Sequence, residues 1–408
     1  MKKYSVWYIS KYISPPTENS IGGRGFLLMK ELSKINYILT IITSNSSELW
    51  QTPQMTAKYQ KKNYYGIDFW WIKTIQYKGS RSFSRILSWL HFEYRLLRMP
   101  KTNLVKPDVI IVSSLSLLTI VNGFILRRKF RCKLIFEVRD IWPLTIIEIG
   151  KYSKFNPFII VLGLIEKWGY KYSDKIVGTM PNLQAHVEAT LGYKKDVECI
   201  PMGVDENSLK INTSIDEGYK KKYFCNDSFT VAYAGTIGTN NSLDTFFKCA
   251  ELLKKNNDIH FLVIGDGRLK SYFKEKYESY SNITFVPPVQ KNDVQSVLTN
   301  CDLLYFSASQ SKTWEFGQSL NKLIDYMLAA KPIVASYNGF PSMINEAKCG
   351  SFIPQDNSNA LKQEILNYFN KTNIAREEIG QRGRDWILKN RKFKILAREY
   401  SKIICNLI

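Results

Sequence analysis

Apolar residues along the chain fall into two alternating patterns. Short, mostly apolar runs, such as Tyr4 to Ile9, Val109 to Ser113 and Phe229 to Ala234, are separated by longer stretches with apolar positions every three or four residues. The first pattern predicts buried strands and the second amphipathic helices. In the first half this gives strands at 4–9, 38–42, 69–72, 109–113, 133–137 and 175–178. The intervening helices are predicted at 26–35, 82–101, 115–128, 156–172 and 181–190. The second half restarts the alternation, with strands at 229–234, 260–264, 283–286, 303–306 and 333–335 and helices at 242–255, 269–279 and 320–328. Strand–helix alternation of this kind builds parallel sheets. A final amphipathic helix is predicted over 384–408.

A chain of 408 residues exceeds what one core usually supports, so two domains are expected, 1–204 and 205–383, followed by the tail. Charge is divided unevenly between them. Residues 1–204 carry 30 Lys and Arg against 14 Asp and Glu, whereas the remainder carries 27 against 22. A basic first half suggests an anionic partner (lipid headgroups, a lipid diphosphate or nucleic acid) or else a solvated lysine-rich surface. Seven cysteines lie scattered without a Cys-x-x-Cys pair, which gives neither a zinc site nor a disulfide framework and fits a reducing cytosol. The uncharged run from Val109 to Leu126 is interrupted by Ser113, Ser114, Ser116, Thr119, Asn122 and Gly123, so it reads as a strand and a helix, not a membrane span.

Helix 82–101 has a distinct pattern. Phe83, Ile86, Leu87, Leu90, Tyr94 and Leu97 fall at helical spacing, with Arg81, Arg85, Arg95, Arg98 and Lys101 around them. Such a helix lies in a membrane interface or packs its stripe on the core, and the sequence leaves both open.

Candidate chemistry gathers where strands hand over to helices. Gly22 and Gly23 follow the first strand, and Gly235, Thr236 and Gly238 follow the first strand of the second half. Glycine turns there let backbone approach a phosphate or sugar, and equally serve as plain tight turns. Residues 319–332, Ser-Leu-Asn-Lys-Leu-Ile-Asp-Tyr-Met-Leu-Ala-Ala-Lys-Pro, put Lys322 and Asp325 one turn apart on one helix face. A helix N-terminus with a lysine holds phosphate, and a carboxylate one turn on can accept two ribose hydroxyls.

This stretch resembles the retaining glycosyltransferases of family 4. Their bacterial members of O-antigen and capsule synthesis carry Ser-Pro-Asn-Lys-Leu-Phe-Asp-Tyr-Met-Ala-Ala-Gly-Lys-Pro at this helix. Residues 137–143, Glu-Val-Arg-Asp-Ile-Trp-Pro, and 198–205, Glu-Cys-Ile-Pro-Met-Gly-Val-Asp, resemble the family's Asp-Leu-Trp-Pro cleft segment and Ile-Pro-Asn-Gly-Val-Asp interdomain link. The resemblance implies the GT-B fold, an α/β architecture of two Rossmann-like domains with parallel sheets facing a central cleft. It implies an acceptor-binding first domain, a nucleotide-sugar-binding second domain, and a C-terminal helix that crosses back to the first.

By the same resemblance Asn321, Lys322, Leu323 and Asp325 would bind a UDP-sugar donor, helped by Gly22, Gly23, Gly235, Thr236, Gly238 and Arg268. Val286 to Val289 would face the base. Arg139 and Asp140 are the cleft candidates for catalysis. Two departures stand out. The family's paired acids lie eight residues apart, but Gly317 stands eight before Asp325, leaving Glu315, ten before, as a candidate. Thr239, Asn240 and Asn241 replace the family's Arg and Lys after the second domain's first turn, which shifts diphosphate charge onto Lys322 and Arg268. With no Asp-x-Asp, no metal or other cofactor is expected, and fixed cations would replace Mg²⁺.

The activity that the resemblance implies is retaining transfer of a sugar, an N-acetylated deoxyhexosamine such as N-acetyl-L-fucosamine, from its UDP donor to an undecaprenyl-diphosphate-linked saccharide. The setting would be O-antigen or capsule synthesis on the inner face of the cytoplasmic membrane, with the basic first domain towards lipid. A non-hydrolysing UDP-sugar epimerase would share the fold, but the first half offers no convincing pair of acid/base carboxylates. A nucleic-acid-binding protein would share the charge, but no helix-turn-helix, RNP or finger motif is present, so no nucleic-acid partner is expected.

Overall fold

The computed structural model describes residues 3–17, 22–48, 50–79, 82–114, 116–206, 215–224, 228–291 and 293–408. Arg81 of the basic helix lies outside them. The chain divides into two compact units, Met1–Gly203 with Phe393–Ile408, and Val204–Lys392.

The first unit is built from β1 (Tyr4–Ile9), α1 (Arg24–Ser33), β2 (Tyr37–Ser44), β3 (Tyr59–Tyr64), β4 (Ile67–Ile72), α2 (Phe83–Arg98) and β5 (Val109–Ser113). It continues through α3 (Thr119–Phe130), β6 (Lys133–Val138), α4 (Leu144–Glu148), α5 (Pro157–Tyr172), β7 (Lys175–Gly178), α6 (Leu183–Leu191) and β8 (Val197–Cys199). These strands form one sheet in the order β3-β4-β2-β1-β5-β6-β7-β8. All neighbours run parallel except β3, which pairs antiparallel with β4. The central strands are mostly apolar, as a sheet covered on both faces requires; β5 is buried at all its positions. Right-handed crossovers place α2, α3 and α5, whose strands advance from β4 towards β7, on one face. The connection from β1 to β2 runs the other way, which puts α1 on the opposite face.

The second unit contains α7 (Glu217–Tyr223), β9 (Phe229–Ala234), α8 (Asp244–Leu252), β10 (Ile259–Ile264), α9 (Lys270–Tyr277), β11 (Ile283–Val286), α10 (Val294–Leu298) and β12 (Leu303–Ser307). It ends with α11 (Asn321–Leu328), β13 (Ile333–Ser336), α12 (Met343–Ala347), β14 (Gly350–Ile353), α13 (Ser358–Phe369) and α14 (Asn373–Asn390). Its sheet is parallel throughout, in the order β11-β10-β9-β12-β13-β14. Strand order reverses between β9 and β12, and in open α/β sheets the crevice beyond the strand C-termini at such a reversal is where ligands bind.

The tail departs from the expectation of one helix over 384–408. Residues 384–390 finish α14 inside the second unit, and a separate α15 (Phe393–Cys405) belongs to the first. Gly380 and Gly383 are buried on α14, and a Cβ at Gly380 would lie 2.0 Å from the carbonyl oxygen of Ala330. That close approach holds α14 against the end of α11. α15 buries Phe393, Leu396, Ala397, Tyr400 and Ile404 in the core cluster that contains α1.

Helix α2 begins and ends close to its expected limits, but its stripe does not enter the core. Ser88, Trp89, Phe92 and Leu96 are buried, while Phe83, Leu87, Leu90, Tyr94 and Leu97 are exposed. The buried side is anchored by the Trp89 indole, which donates to the Tyr12 hydroxyl at 2.7 Å.

Candidate functional site

A pocket of about 470 Å³ opens beyond the C-termini of β9, β10 and β11. Ala234, Gly235 and Thr236 line it after β9, and Ile264, Gly265 and Asp266 after β10. Pro288 and Val289 follow β11, α10 supplies Val294 and Leu298, and α11 supplies Lys322, Asp325 and Tyr326.

The floor is made of backbone in close contact. Gly235 and Gly265 have φ of +151° and +137°, and a Cβ at Gly265 would sit 2.0 Å from the Gly235 oxygen. Only glycine tolerates both the conformation and the approach. The Gly235 amide donates to the Ile264 carbonyl at 3.0 Å and the Ile237 amide to the Asp266 carbonyl at 2.8 Å, so the two turns form one layer.

Helix α11 is fixed to that floor by Tyr326. Its buried hydroxyl accepts from the Ala234 amide at 2.8 Å and donates to the Ala234 carbonyl at 3.1 Å. Leu323, Ile324 and Met327 turn inward and Lys322 and Asp325 face the pocket. Leu320 caps the helix without a side-chain bond to its first amides. Those amides, at the positive end of the helix dipole, suit an anion.

The Lys322 ammonium donates to the Tyr233 hydroxyl and to Asn241 Oδ1, each at 3.0 Å, and lies 4.3 Å from the Tyr233 ring centroid. Asn241 is itself held by donating to the Thr236 carbonyl at 2.8 Å. None of these partners is anionic, and burial lowers the Lys322 pKa to about 7. When protonated, Lys322 has no anionic partner in hydrogen-bond contact among the described residues, a state that an arriving phosphate relieves. Burial likewise raises Asp325 to about 6, against the attraction of Lys291. Its backbone carbonyl accepts from Gln295 at 3.0 Å. Two titratable groups, one turn apart, thus share a pocket with apolar walls at Ile264, Val289, Val294 and Leu298.

Of the donor-binding residues read from the sequence, Gly235, Thr236, Val289, Lys322 and Asp325 line this pocket. Val286 and Leu323 are fully buried beneath it, Asn321 and Arg268 are exposed beside it, and Gly238 caps a 3-10 turn at Thr239–Asn241. Glu315 is exposed in a 3-10 turn at Lys312–Phe316 and does not line the pocket.

The remaining predicted residues belong to the first unit. Gly22 and Gly23 lead into α1, with the Gly23 amide donating to Ser14. Arg139 and Asp140 follow β6. The Asp140 carboxylate accepts from the Trp142 indole at 2.9 Å and the Thr145 hydroxyl at 2.6 Å, which orders the start of α4. Burial lowers the Arg139 pKa, and its Nε has no hydrogen-bond partner among the described residues. The sequence reading missed Tyr233, Asn241, Gly265, Asp266 and Tyr326. Tyr326 lies inside the 319–332 stretch, whereas the roles of Tyr233 and Asn241 depend on contacts 81 to 89 residues away.

Among the described residues no group of three or more His, Cys, Asp or Glu could hold a metal ion. No helix there is long and apolar enough to cross a membrane.

Residues 228–371, which contain the whole pocket, match the family described as Glycosyl transferases group 1. No curated protein matches the chain by sequence. Solved structures resemble it over its full length at low identity. Sucrose-phosphate synthase from Thermosynechococcus elongatus is 14% identical with a TM-score of 0.74, over 99% of both chains. The Escherichia coli trehalose-6-phosphate structure bound with UDP-2-fluoro glucose is 12% identical with a TM-score of 0.73, over 99% of both chains. Anabaena HepE in complex with UDP and glucose is 12% identical with a TM-score of 0.64, over 98% of this chain and 99% of that one. These likenesses identify the fold as GT-B, two α/β domains built on parallel sheets.

Proposed function

We propose that this protein is a glycosyltransferase that takes a UDP-sugar donor in the second-unit pocket. The observation that carries the reading is the placement of Lys322 and Asp325, one turn apart on α11, over a floor of glycine backbone. Lys322 and the first amides of α11 would bind the diphosphate, Asp325 would accept the ribose hydroxyls, and the base would lie against Val289 and the neighbouring backbone. Charge building on the leaving diphosphate would then be met by a lysine already desolvated and oriented, which is the condition under which a fixed cation stabilises a transition state. The match of residues 228–371 and the UDP-bound structures of the same fold support this assignment.

The finer reading is retaining, metal-independent transfer of an N-acetylated deoxyhexosamine to an undecaprenyl-diphosphate-linked saccharide in O-antigen or capsule synthesis, at the cytoplasmic face of a membrane. It is supported by the wording of residues 319–332 and by the basic first half of the chain. Titration calorimetry with UDP and a panel of UDP-sugars tests the donor site. Binding that requires Lys322 and Asp325 upholds it, and UDP affinity unchanged in Asp325→Ala refutes the role assigned to that carboxylate.

A further inference from the structure

Helices α2, α3 and α5 lie side by side on one face of the first-unit sheet. The Glu93 carboxylate of α2 accepts from Thr119 at 2.6 Å and from Asn122 of α3. Phe124 of α3 packs on Trp168 of α5 at 4.3 Å between ring centroids. Each helix turns an apolar stripe away from the sheet. On α2 it is Phe83, Leu87, Leu90, Tyr94 and Leu97, on α3 Val121 and Ile125, and on α5 Ile160, Val161 and Leu164. Leu164 is 64% exposed and Phe83 71%, values far from those of core side chains. Phe155, 75% exposed just before α5, extends the face.

Charge on these helices is sorted by direction. Their only acids, Glu93 and Glu166, are turned inward. Glu93 is bonded by α3, and Glu166 is buried and accepts from Tyr170 at 2.9 Å while pairing with His186 at 2.8 Å. Arg98, Arg128, Lys129, Lys167 and Lys171 are exposed around the stripes. The segment leading into α5 adds exposed Lys151 and Lys154 with one acid, Glu148. An apolar surface of this breadth marks an interaction site, and a cationic rim around it is complementary to anionic headgroups.

We infer that α2, α3 and α5 together form a docking surface for an anionic lipid bilayer, with the α5 stripe inserted beside that of α2. The inference rests on the membrane reading proposed above and extends it to helices whose sequences did not suggest it. Apolar side chains on three adjacent helices would seat at the acyl boundary while the arginines and lysines meet phosphate. Two adjacent anchoring stripes restrict the tilt of the domain on the surface more than one can.

The test is flotation of the full-length protein with phosphatidylglycerol-containing and pure phosphatidylcholine vesicles, without any nucleotide. Ile160→Glu/Leu164→Glu on α5 and Leu90→Glu on α2 are compared, with circular dichroism and UDP binding as checks of folding. The expected result is binding to the anionic vesicles only, weakened by salt, and reduced about tenfold or more by either variant. A Lys167→Glu/Lys171→Glu variant should lose the preference for anionic lipid. Loss with the α2 variant but full binding by the folded α5 variant overturns this inference and leaves single-helix anchoring standing. No binding by the wild-type protein overturns both. A dimer in solution that the same substitutions split, without vesicle binding, assigns the face to a second copy and also overturns the inference.

Discussion

The Lys322 ammonium lies 3.0 Å from the Tyr233 hydroxyl and 4.3 Å from the centre of the same ring, with no carboxylate bonded to it among the described residues. A lysine held by a phenol and an amide is positioned but not neutralised. Replacing it with methionine keeps the packing and removes the charge. Lys322→Met should weaken UDP-sugar binding by about 10- to 100-fold, the worth of one charge-assisted bond to phosphate. Calorimetry checks this, with the melting temperature unchanged or raised because a desolvated cation has been removed.

The same lysine gives a pH dependence of known sign. Its pKa in the free protein is about 7 and rises when a diphosphate binds, so affinity for a UDP-sugar falls as pH climbs above about 7. Asp325, at about 6, must be ionised to accept ribose hydroxyls, so affinity also falls as pH drops below about 6. Binding should be strongest between these values. Lys322→Met should flatten the alkaline limb and Asp325→Asn the acid limb.

Asp325 makes a further prediction about discrimination. If its carboxylate accepts the ribose hydroxyls, the wild-type protein prefers UDP to 2′-deoxy-UDP by about tenfold, one hydrogen bond to a charged group. Asp325→Ala should bind the two alike. A preference that survives the substitution places the ribose elsewhere.

Gly265→Ala should be severe although it adds one methyl. The new Cβ would collide with the Gly235 oxygen at 2.0 Å, at a φ that disfavours any side chain. Both thermal stability and UDP affinity should drop together, since the clash forces the β9 and β10 turns apart.

In the first unit the buried pair Arg24–Glu137, 3.1 Å apart with neither side chain exposed, should dominate local stability. Arg24 also donates to the carbonyls of Pro201 and Ile200, at the segment where the chain leaves this unit. Glu137→Gln leaves the guanidinium buried without its counter-charge and should cost about 3–5 kcal/mol in chemical denaturation. Burial would raise the Glu137 pKa, but Arg24, Arg139 and the Tyr8 bond hold it below the ordinary value. Its contribution is therefore present above the unfolded pKa and lost as pH falls through the lower folded one, a trend absent in Glu137→Gln.

The α/β alternation was legible because central strands such as Val109–Ser113 are nearly continuous apolar runs, buried at every position. β3 was not, because Tyr-Gln-Lys-Lys-Asn-Tyr reads as polar loop. It is an edge strand, half solvated, and joins β4 through Tyr65 and Gly66, both at positive φ as a two-residue hairpin turn requires. The spacing of Lys322 and Asp325 on one helix face was readable, since helical periodicity is local. Tyr233 and Asn241, which hold the lysine, were not, because their role depends on distant packing. The stripe of α2 shows the limit of periodicity: Leu90 and Leu97 have core-like spacing, and only the structure shows that Trp89 and Phe92 are the side that packs inward.

The most direct test of the central claim is release of UDP from a panel of UDP-sugars, with and without bacterial membrane lipid, in the presence of EDTA. The account predicts lipid-dependent release from one donor, undiminished by EDTA and abolished in Lys322→Met. Interconversion of a UDP-sugar without any acceptor, or lipid-dependent turnover that Lys322→Met leaves intact, would contradict it.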